Sequence, residues 1–415
     1  MGFSRTERLA ARILSDLPFV KRMVKRTYQT LNYRIYGKSI PYTCSFPLTG
    51  IGDPSHESFF GYYDKSPVNG TGQFMIYHET SYPTSKKPDA GHRVNIVLYD
   101  LHSRNEVKRW PSSAYNWQQG SKLMWIDDRR FAYNDFDAVR QRYVARIVQA
   151  HDPGSIQIID FPIYDASGDT ALTLSFERLN SIMPDYGYRN HREETAYDIA
   201  SDGICKIDFD HDNAERIITV ERAIAIHRDK SMEKSRHWFN HIMLSPDGDH
   251  FIFLHRWMAH GRKYDALMLA DINGKSLRCL ADDGMVSHCC WVNNEEIISY
   301  MRDSERGNKY FKINIRSGER QVVGAGITDV FGDGHPSVYG NKMLFDTYPN
   351  RARMQELFLY DIEDQNIVKI GEFLSPLKYH GESRCDLHPR FSMDGRSVFI
   401  DSTHSGKRRL YRLDL

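Results

Sequence analysis

Four passages in the second half of the chain place a nitrogen or sulfur ligand at one point of a recurring pattern. His241, His335 and His388 each stand three residues before an apolar position, Leu244, Val338 and Phe391. Cys289 stands three before Val292, with His288 one step earlier, and Cys385 precedes His388 by three. Imidazole and thiolate groups repeated in register can converge on one axis and hold zinc, with manganese or calcium as further candidates. His288, His335, Cys385 and His388 are the expected ligands, and Cys289 or Cys290 could replace His288. The same spacing also fits a ring of hydrogen-bonded side chains around water.

A second group occupies the first half. HESFFGYYDKSP offers His56, Tyr62, Tyr63, Asp64 and Lys65, and the next apolar run ends in His78. Asn116, Trp117, Gln118 and Gln119 follow, then Tyr164, Arg178, Tyr186, Tyr188 and His191. Aromatic faces, amide donors and a guanidinium that can grip a carboxylate suit a sugar cleft. Tyr62, Asn116, Gln118, Tyr188 and His241 are the expected sugar contacts. The alternative is that most of these rings pack between structural units. Hydrolysis would need two spaced carboxylates, for which Asp64 and Glu177 are candidates.

These residues need a scaffold that brings distant segments to one place, and the sequence repeats as such a scaffold does. From about residue 58 one unit recurs: an apolar strand, a tight turn, a second apolar strand, a third ending in Asp or Asn, and a short fourth. HIMLSPDGDHFIFLHRW, CCWVNNEEIISYM, HPSVYGNKMLFD and HPRFSMDGRSVFID begin at residues 241, 289, 335 and 388. FFGYYDKSPVNGTGQFMIYHE, KLMWIDDRRFAYNDF and IYDASGDTALTLSF bring the units to seven. Residues 58–415 divide into units of about 51, the size of a propeller blade with some long loops. The chain therefore reads as an all-β, seven-bladed β-propeller over 39–415, with a short helical extension before it. The last unit lacks a fourth strand, which the segment from Ile40 to Leu48 is expected to supply.

Composition excludes other classes. With 55 Lys and Arg against 54 Asp and Glu, the chain has no overall basic field for a nucleic acid. No apolar run reaches the roughly 18 residues of a membrane-spanning helix, and mean hydropathy is −0.56. Six scattered cysteines in 415 residues imply a reducing compartment. Residues 1–38 differ, carrying nine Lys or Arg against Glu7 and Asp16. Leu9, Ile13, Leu17, Val20 and Val24 recur there at helical spacing. This basic amphipathic leader suits an anionic membrane surface or a partner protein, or packs its stripe on the body. It lacks the apolar core and small-residue cleavage site of a signal peptide, so a cytoplasmic monomer, peripheral to the inner membrane, is expected.

HESFFGYYDKSPVNGTG, NWQQGSKLMW, LSFERLNSIMPDYGY, FNHIMLSPDG and LHPRFSMDG together resemble the seven-bladed propeller polysaccharide lyases of the ulvan lyase type, and more faintly oligogalacturonate lyases. The resemblance covers most of the chain after about residue 50. It implies β-elimination on an acidic polysaccharide: the C5 proton of a uronic acid is removed and the 4-linked sugar leaves. By motif, Arg178 would neutralise the carboxylate, Tyr164 would act as base, acid or both, and His56 and His78 would complete the group around the sugar. The resemblance also implies a structural zinc, which agrees with the His and Cys ring. Such lyases are exported, whereas the leader here implies an intracellular setting beside exopolysaccharide or capsule synthesis. A non-catalytic glycan-binding or scaffolding propeller is the alternative.

Overall fold

The computed structural model describes residues 18–191 and 198–415. A helix, α1 (Pro18–Tyr36), leads into β1 (Tyr42–Cys44) and β2 (Leu48–Gly50). Blade one is β3 (Glu57–Phe59), β4 (Phe74–Thr80), β5 (Val94–Asp100) and β6 (Asn105–Ser112). Blade two is β7 (Met124–Trp125), β8 (Arg130–Asp137), β9 (Arg142–Gln149) and β10 (Ile156–Ile159). In blade three, β11 (Asp165–Ser167) and β12 (Thr170–Thr173) are followed by α2 (Phe176–Ile182), then β13 (Gly203–Asp208) and β14 (Asn213–Thr219). A helix α3 (Val220–Ile226) crosses to blade four, built of β15 (Arg236–Leu244), β16 (His250–Ala259), β17 (Arg262–Asp271) and β18 (Leu277–Ala281). Blade five is β19 (Val286–Trp291), β20 (Glu296–Asp303), β21 (Gly307–Asn314) and β22 (Arg320–Val322). Blade six is β23 (Ser337–Tyr339), β24 (Lys342–Asp346), β25 (Met354–Asp361) and β26 (Asn366–Leu374). Blade seven holds β27 (Arg390–Phe391), β28 (Ser397–Ser402) and β29 (Arg409–Asp414). Seven antiparallel sheets thus form the propeller that the repeat predicts.

Ring closure differs from expectation in register. β2 supplies the fourth strand of blade seven, pairing Leu48 with Leu413 and Gly50 with Tyr411. The clasp thus comes from the end of the expected segment around Ile40 to Leu48, where Pro47 also accepts from the Asp414 amide, and from the two residues after it. The rest forms β1 on the outer edge of blade six, Tyr42 opposite Phe373. Both blades offer an unpaired outer edge, and one passing segment satisfies each in turn.

The repeat is visible because turn chemistry enforces it. Third strands end in Asp or Asn whose side chain caps the next turn: Asp100 Oδ1 accepts from the amides of His102 and Ser103 at 2.8 and 3.0 Å. Asn314 does the same for Arg316 and Ser317, and Asp361 for Glu363 and Asp364. In SPDG and SMDG, Ser245 and Ser392 hydroxyls donate to Asp247 and Asp394, each at 2.6 Å. Blades pack on both faces, so middle strands are continuous apolar runs such as Phe251 to Leu254. Truncating Phe253, whose ring lies 4.8 Å from that of Phe239, would cost about 3–5 kcal/mol.

Inner strands are irregular where they approach the axis. In β15 the ladder breaks between Asn240 and Met243, and in β19 between Val286 and Cys289. His241 and His388 adopt left-handed backbone angles, φ 54° and 45°. Such bulges re-aim a side chain. In blade one the chain leaves the ladder after Phe59 and carries Gly61 (φ 120°) past the 116–120 turn. A Cβ on Gly61 would lie 2.9 Å from the Gln119 carbonyl carbon, so no larger residue fits.

Candidate functional site

The bulges and inner-strand starts of blades four to seven bring four imidazoles together. Ring centroids of His288 and His335 are 4.1 Å apart, His335 and His388 4.4 Å, and His241 and His288 6.3 Å. All four are buried. Blade one contributes Tyr62, whose ring stacks on His241 at 5.2 Å with its hydroxyl 3.3 Å from Nε2. Tyr63 wedges between His288 and His335, at 5.9 and 5.4 Å.

Three of the imidazoles are fixed through Nδ1. His288 Nδ1 donates to Asp333 at 3.0 Å, His335 Nδ1 to Asp346 at 2.8 Å, and His388 Nδ1 to the Gly61 carbonyl at 2.7 Å. Each Nε2 therefore keeps its lone pair, the arrangement typical of metal-ligating histidine. Nε2 of His388 is buried without a hydrogen-bond partner. Ligand atoms of His335, Asp386 and His388 all lie within 4.8 Å of one another. An orphaned nitrogen beside a carboxylate and a second imidazole fits a divalent cation. Burial, with help from His335, holds His388 neutral well below the usual histidine range. Burial opposes protonation of His335 as well, yet Asp346 outweighs it and raises that pKa.

In that group Asp386, and not the expected Cys385, accompanies the two imidazoles. In extended chain, neighbours point to opposite sides while residues i and i+2 share one, so Asp386 goes with His388. The Cys385 Sγ contacts the Asp386 carbonyl at 3.8 Å, and burial pushes its thiol to about 12. Cys289 likewise donates to Ser299 at 3.2 Å instead of facing the axis. His288 sits beside the group, its ring against His335.

Other expected site residues take different places. Tyr164 is at the channel, where its hydroxyl oxygen accepts from the His241 amide at 2.8 Å and from Gln119 Nε2 at 3.3 Å. It thereby holds the strained His241 backbone. Arg178 lies on α2, where Ser175 caps the helix; its guanidinium pairs with Asp202 and donates to the His237 carbonyl at 2.6 Å. It is committed to the fold. His78 stacks on Phe59 at 4.6 Å behind the 116–120 turn, and a Cβ on Gly120 would meet its ring at 2.2 Å. Burial drives its pKa to about 3, so the ring stays neutral inside the fold. His56 sits at the rim, 3.6 Å from Glu79 and 3.8 Å from Asp53. Asn116 caps the amides of Gln118 and Gln119 at 3.0 and 2.7 Å, and Gln118 donates to the Arg384 carbonyl at 3.0 Å. Tyr188 stacks on Phe176 at 4.3 Å and packs between blades.

The spacing argument passed over Arg384, Asp386 and Asp333. Arg384 pairs with Asp185 and, at 2.9 Å, with Asp386; its Nη2 reaches the Tyr186 hydroxyl at 3.4 Å. Tyr186 in turn stands edge-on to His241 at 5.1 Å. A signal existed: Asp333-Gly334-His335 and Asp386-Leu387-His388 repeat Asp-x-His in successive blades.

A seven-bladed propeller with a histidine-lined channel defines the class. No protein-family model and no curated protein matches the chain. Among solved structures, an oligogalacturonate lyase from Vibrio parahaemolyticus is similar at a TM-score of 0.60 and 12% identity, over 91% of this chain and 97% of that one. An oligogalacturonate lyase in complex with manganese gives 0.60 and 13%, over 91% and 98%. The β-propeller domain of the Trilobed protease from Pyrococcus furiosus gives 0.51 and 10%, over 86% and 96%. At such identities the likeness shows the fold, and it falls on the fainter of the two expected resemblances.

Proposed function

We propose that this propeller is a lyase that cleaves a uronate-containing oligo- or polysaccharide by β-elimination at the channel mouth. The observation that supports it is the His335, Asp386 and His388 group, with its orphaned Nε2, beside a neutral imidazole and a protonated phenol. A divalent cation on those three residues would draw charge from the uronate carboxylate and so acidify the C5 proton. Manganese suits two imidazoles and a carboxylate as well as zinc does, and manganese is the ion in one similar lyase. Arg384, next to Asp386, orients the same carboxylate.

Burial keeps His241 neutral and Tyr62 protonated, with both pKa values moved far from their ordinary range in opposite directions. His241 is thus available as base and Tyr62 as acid. The C5 proton passes to the His241 imidazole, the C4–O bond breaks as the C4=C5 double bond forms, and Tyr62 protonates the departing oxygen. Their 3.3 Å contact lets the proton return from His241 to Tyr62.

The test is ultraviolet detection of unsaturated uronate after incubation with a panel of acidic polysaccharides and oligogalacturonates. Manganese-loaded protein should form product, and chelated protein and Arg384→Ala should not. Absence of product from the loaded protein on every uronate substrate would leave a glycan-binding propeller in its place.

We also propose that α1 rests on an anionic membrane surface, which would hold the propeller at the inner face of the cytoplasmic membrane. Val20, Val24, Leu31 and Ile35 form an exposed apolar stripe on a helix that carries Lys25, Arg26 and Arg34. The stripe does not pack on the body. The helix meets the body through an Arg26 contact to His380, with Asn32 buried, and Lys38 just beyond the helix pairs with Glu372. Leu9, Ile13 and Leu17 lie outside the described residues. Among the described residues no helix is long and apolar enough to cross a membrane. Co-sedimentation with phosphatidylglycerol vesicles, lost in Leu31→Asp and absent with phosphatidylcholine, is the expected result.

A further inference from the structure

A second histidine cluster lies in blade four, apart from the channel group. His237 Nε2 contacts the Met232 carbonyl at 3.1 Å, His237 Nδ1 meets His255 Nε2 at 2.9 Å, and His255 Nδ1 meets His227 Nε2 at 2.8 Å. A carbonyl only accepts, so His237 Nε2 carries the proton and its Nδ1 is an acceptor. His255 must then donate from Nε2 and accept at Nδ1, and His227 must donate from Nε2. The chain of tautomers ends in a lone pair on His227 Nδ1.

That atom is buried and has no hydrogen-bond partner. His227 follows α3 and faces the outer edge of blade four, where β18 carries Cys279 and Asp282 comes directly after the strand. One ligand atom from each of His227, Cys279 and Asp282 lies within 4.8 Å of the others. His237 and His255, locked in series to the Met232 carbonyl, are an outer shell that orients the third imidazole, His227. All three are held neutral, chiefly by burial.

We propose that His227, Cys279 and Asp282 form a metal site, selective for zinc, that staples the crossing from blade three to the outer strand of blade four. An imidazole, a thiolate and a carboxylate make a tetrahedral set whose fourth position is left to water. Cys279 binds as thiolate, its proton passing to solvent. Without a cation, burial and then Asp282 push that thiol to about 12, so it stays protonated.

Cobalt(II) reports a thiolate ligand through a near-ultraviolet charge-transfer band. Metal-free full-length protein titrated with Co2+ should show the band, and Zn2+ should abolish it. His388→Ala, altered only in the channel group, should keep the band, whereas Cys279→Ser should lose it. No band in the wild type, or a band that persists in Cys279→Ser, overturns the proposal. Should Cys279→Ser fail to fold, Asp282→Asn at its exposed position takes its place. It should weaken Co2+ binding at least about tenfold, and unchanged affinity would equally overturn the site.

Discussion

The channel group and the blade-four relay are both built from buried histidines, yet they are wired differently. In the channel three of the four imidazoles each have their own acceptor: Asp333, Asp346 and the Gly61 carbonyl come from three separate segments. In blade four one carbonyl, that of Met232, sets all three rings in series. Parallel wiring tolerates loss of one acceptor, because the other rings keep their tautomers. Series wiring transmits a single loss to the far end. The channel imidazoles also meet the phenol rings of Tyr62 and Tyr186, whereas the relay is lined by Trp257 and ends at the half-buried Cys279. The first arrangement suits turnover and the second suits holding.

The largest expected effect belongs to the channel. His241→Ala removes the proposed base and should lower kcat by about 10²–10⁴-fold, read by unsaturated uronate formation, with bound manganese unchanged. Arg178→Ala tests the contrast between fold and chemistry. It leaves Asp202 largely buried without its ion pair, so about 3 kcal/mol of stability should be lost in a denaturant titration. The folded fraction should retain kcat, while Arg384→Ala should lose it.

His78 marks a smaller effect. Its folded pKa is near 3, against about 6.5 unfolded, so the fold binds fewer protons between those values. Its stability contribution is complete above about pH 6.5 and is lost as pH falls toward 3. Between pH 7 and 5 this one group should cost about 2 kcal/mol. A His78→Gln variant, compared at both pH values, should lack that share of the decline.

The architecture was readable because propeller turns demand particular residues. Asp100, Asn314 and Asp361 cap equivalent turns, and the serines of SPDG and SMDG make matching bonds, so the period is printed in the chain. The histidines of blades four to seven were readable for the same reason, since three begin a unit and His288 stands one residue before one. Ligand identity was harder. Cys385 and Asp386 are adjacent, and only strand direction decides which faces His388. Arg178 and His78 lie away from the imidazole group because a motif carries residue type without its neighbours. Asp202 claims the first, and Phe59 with Gly120 seals the second. The blade-four relay had no sequence period, since His227 sits on a connection, His237 and His255 on two strands, and Cys279 on a third.

The smallest predicted effect addresses the series wiring directly. In His237→Phe, His255 Nε2 loses its acceptor, and nothing then obliges His255 to accept from His227. The proton of His227 is free to move to Nδ1, where it blocks the proposed ligand. Zinc affinity at blade four should fall about 10–100-fold, the scale of a lost outer partner, as read by competition with a chromophoric chelator. His237→Gln separates wiring from packing. Its side-chain carbonyl can accept from His255 Nε2, so affinity should return toward wild type while channel manganese stays constant in both variants. If Gln and Phe weaken zinc equally, the rings act only as filler, and blade four differs from the channel in position alone.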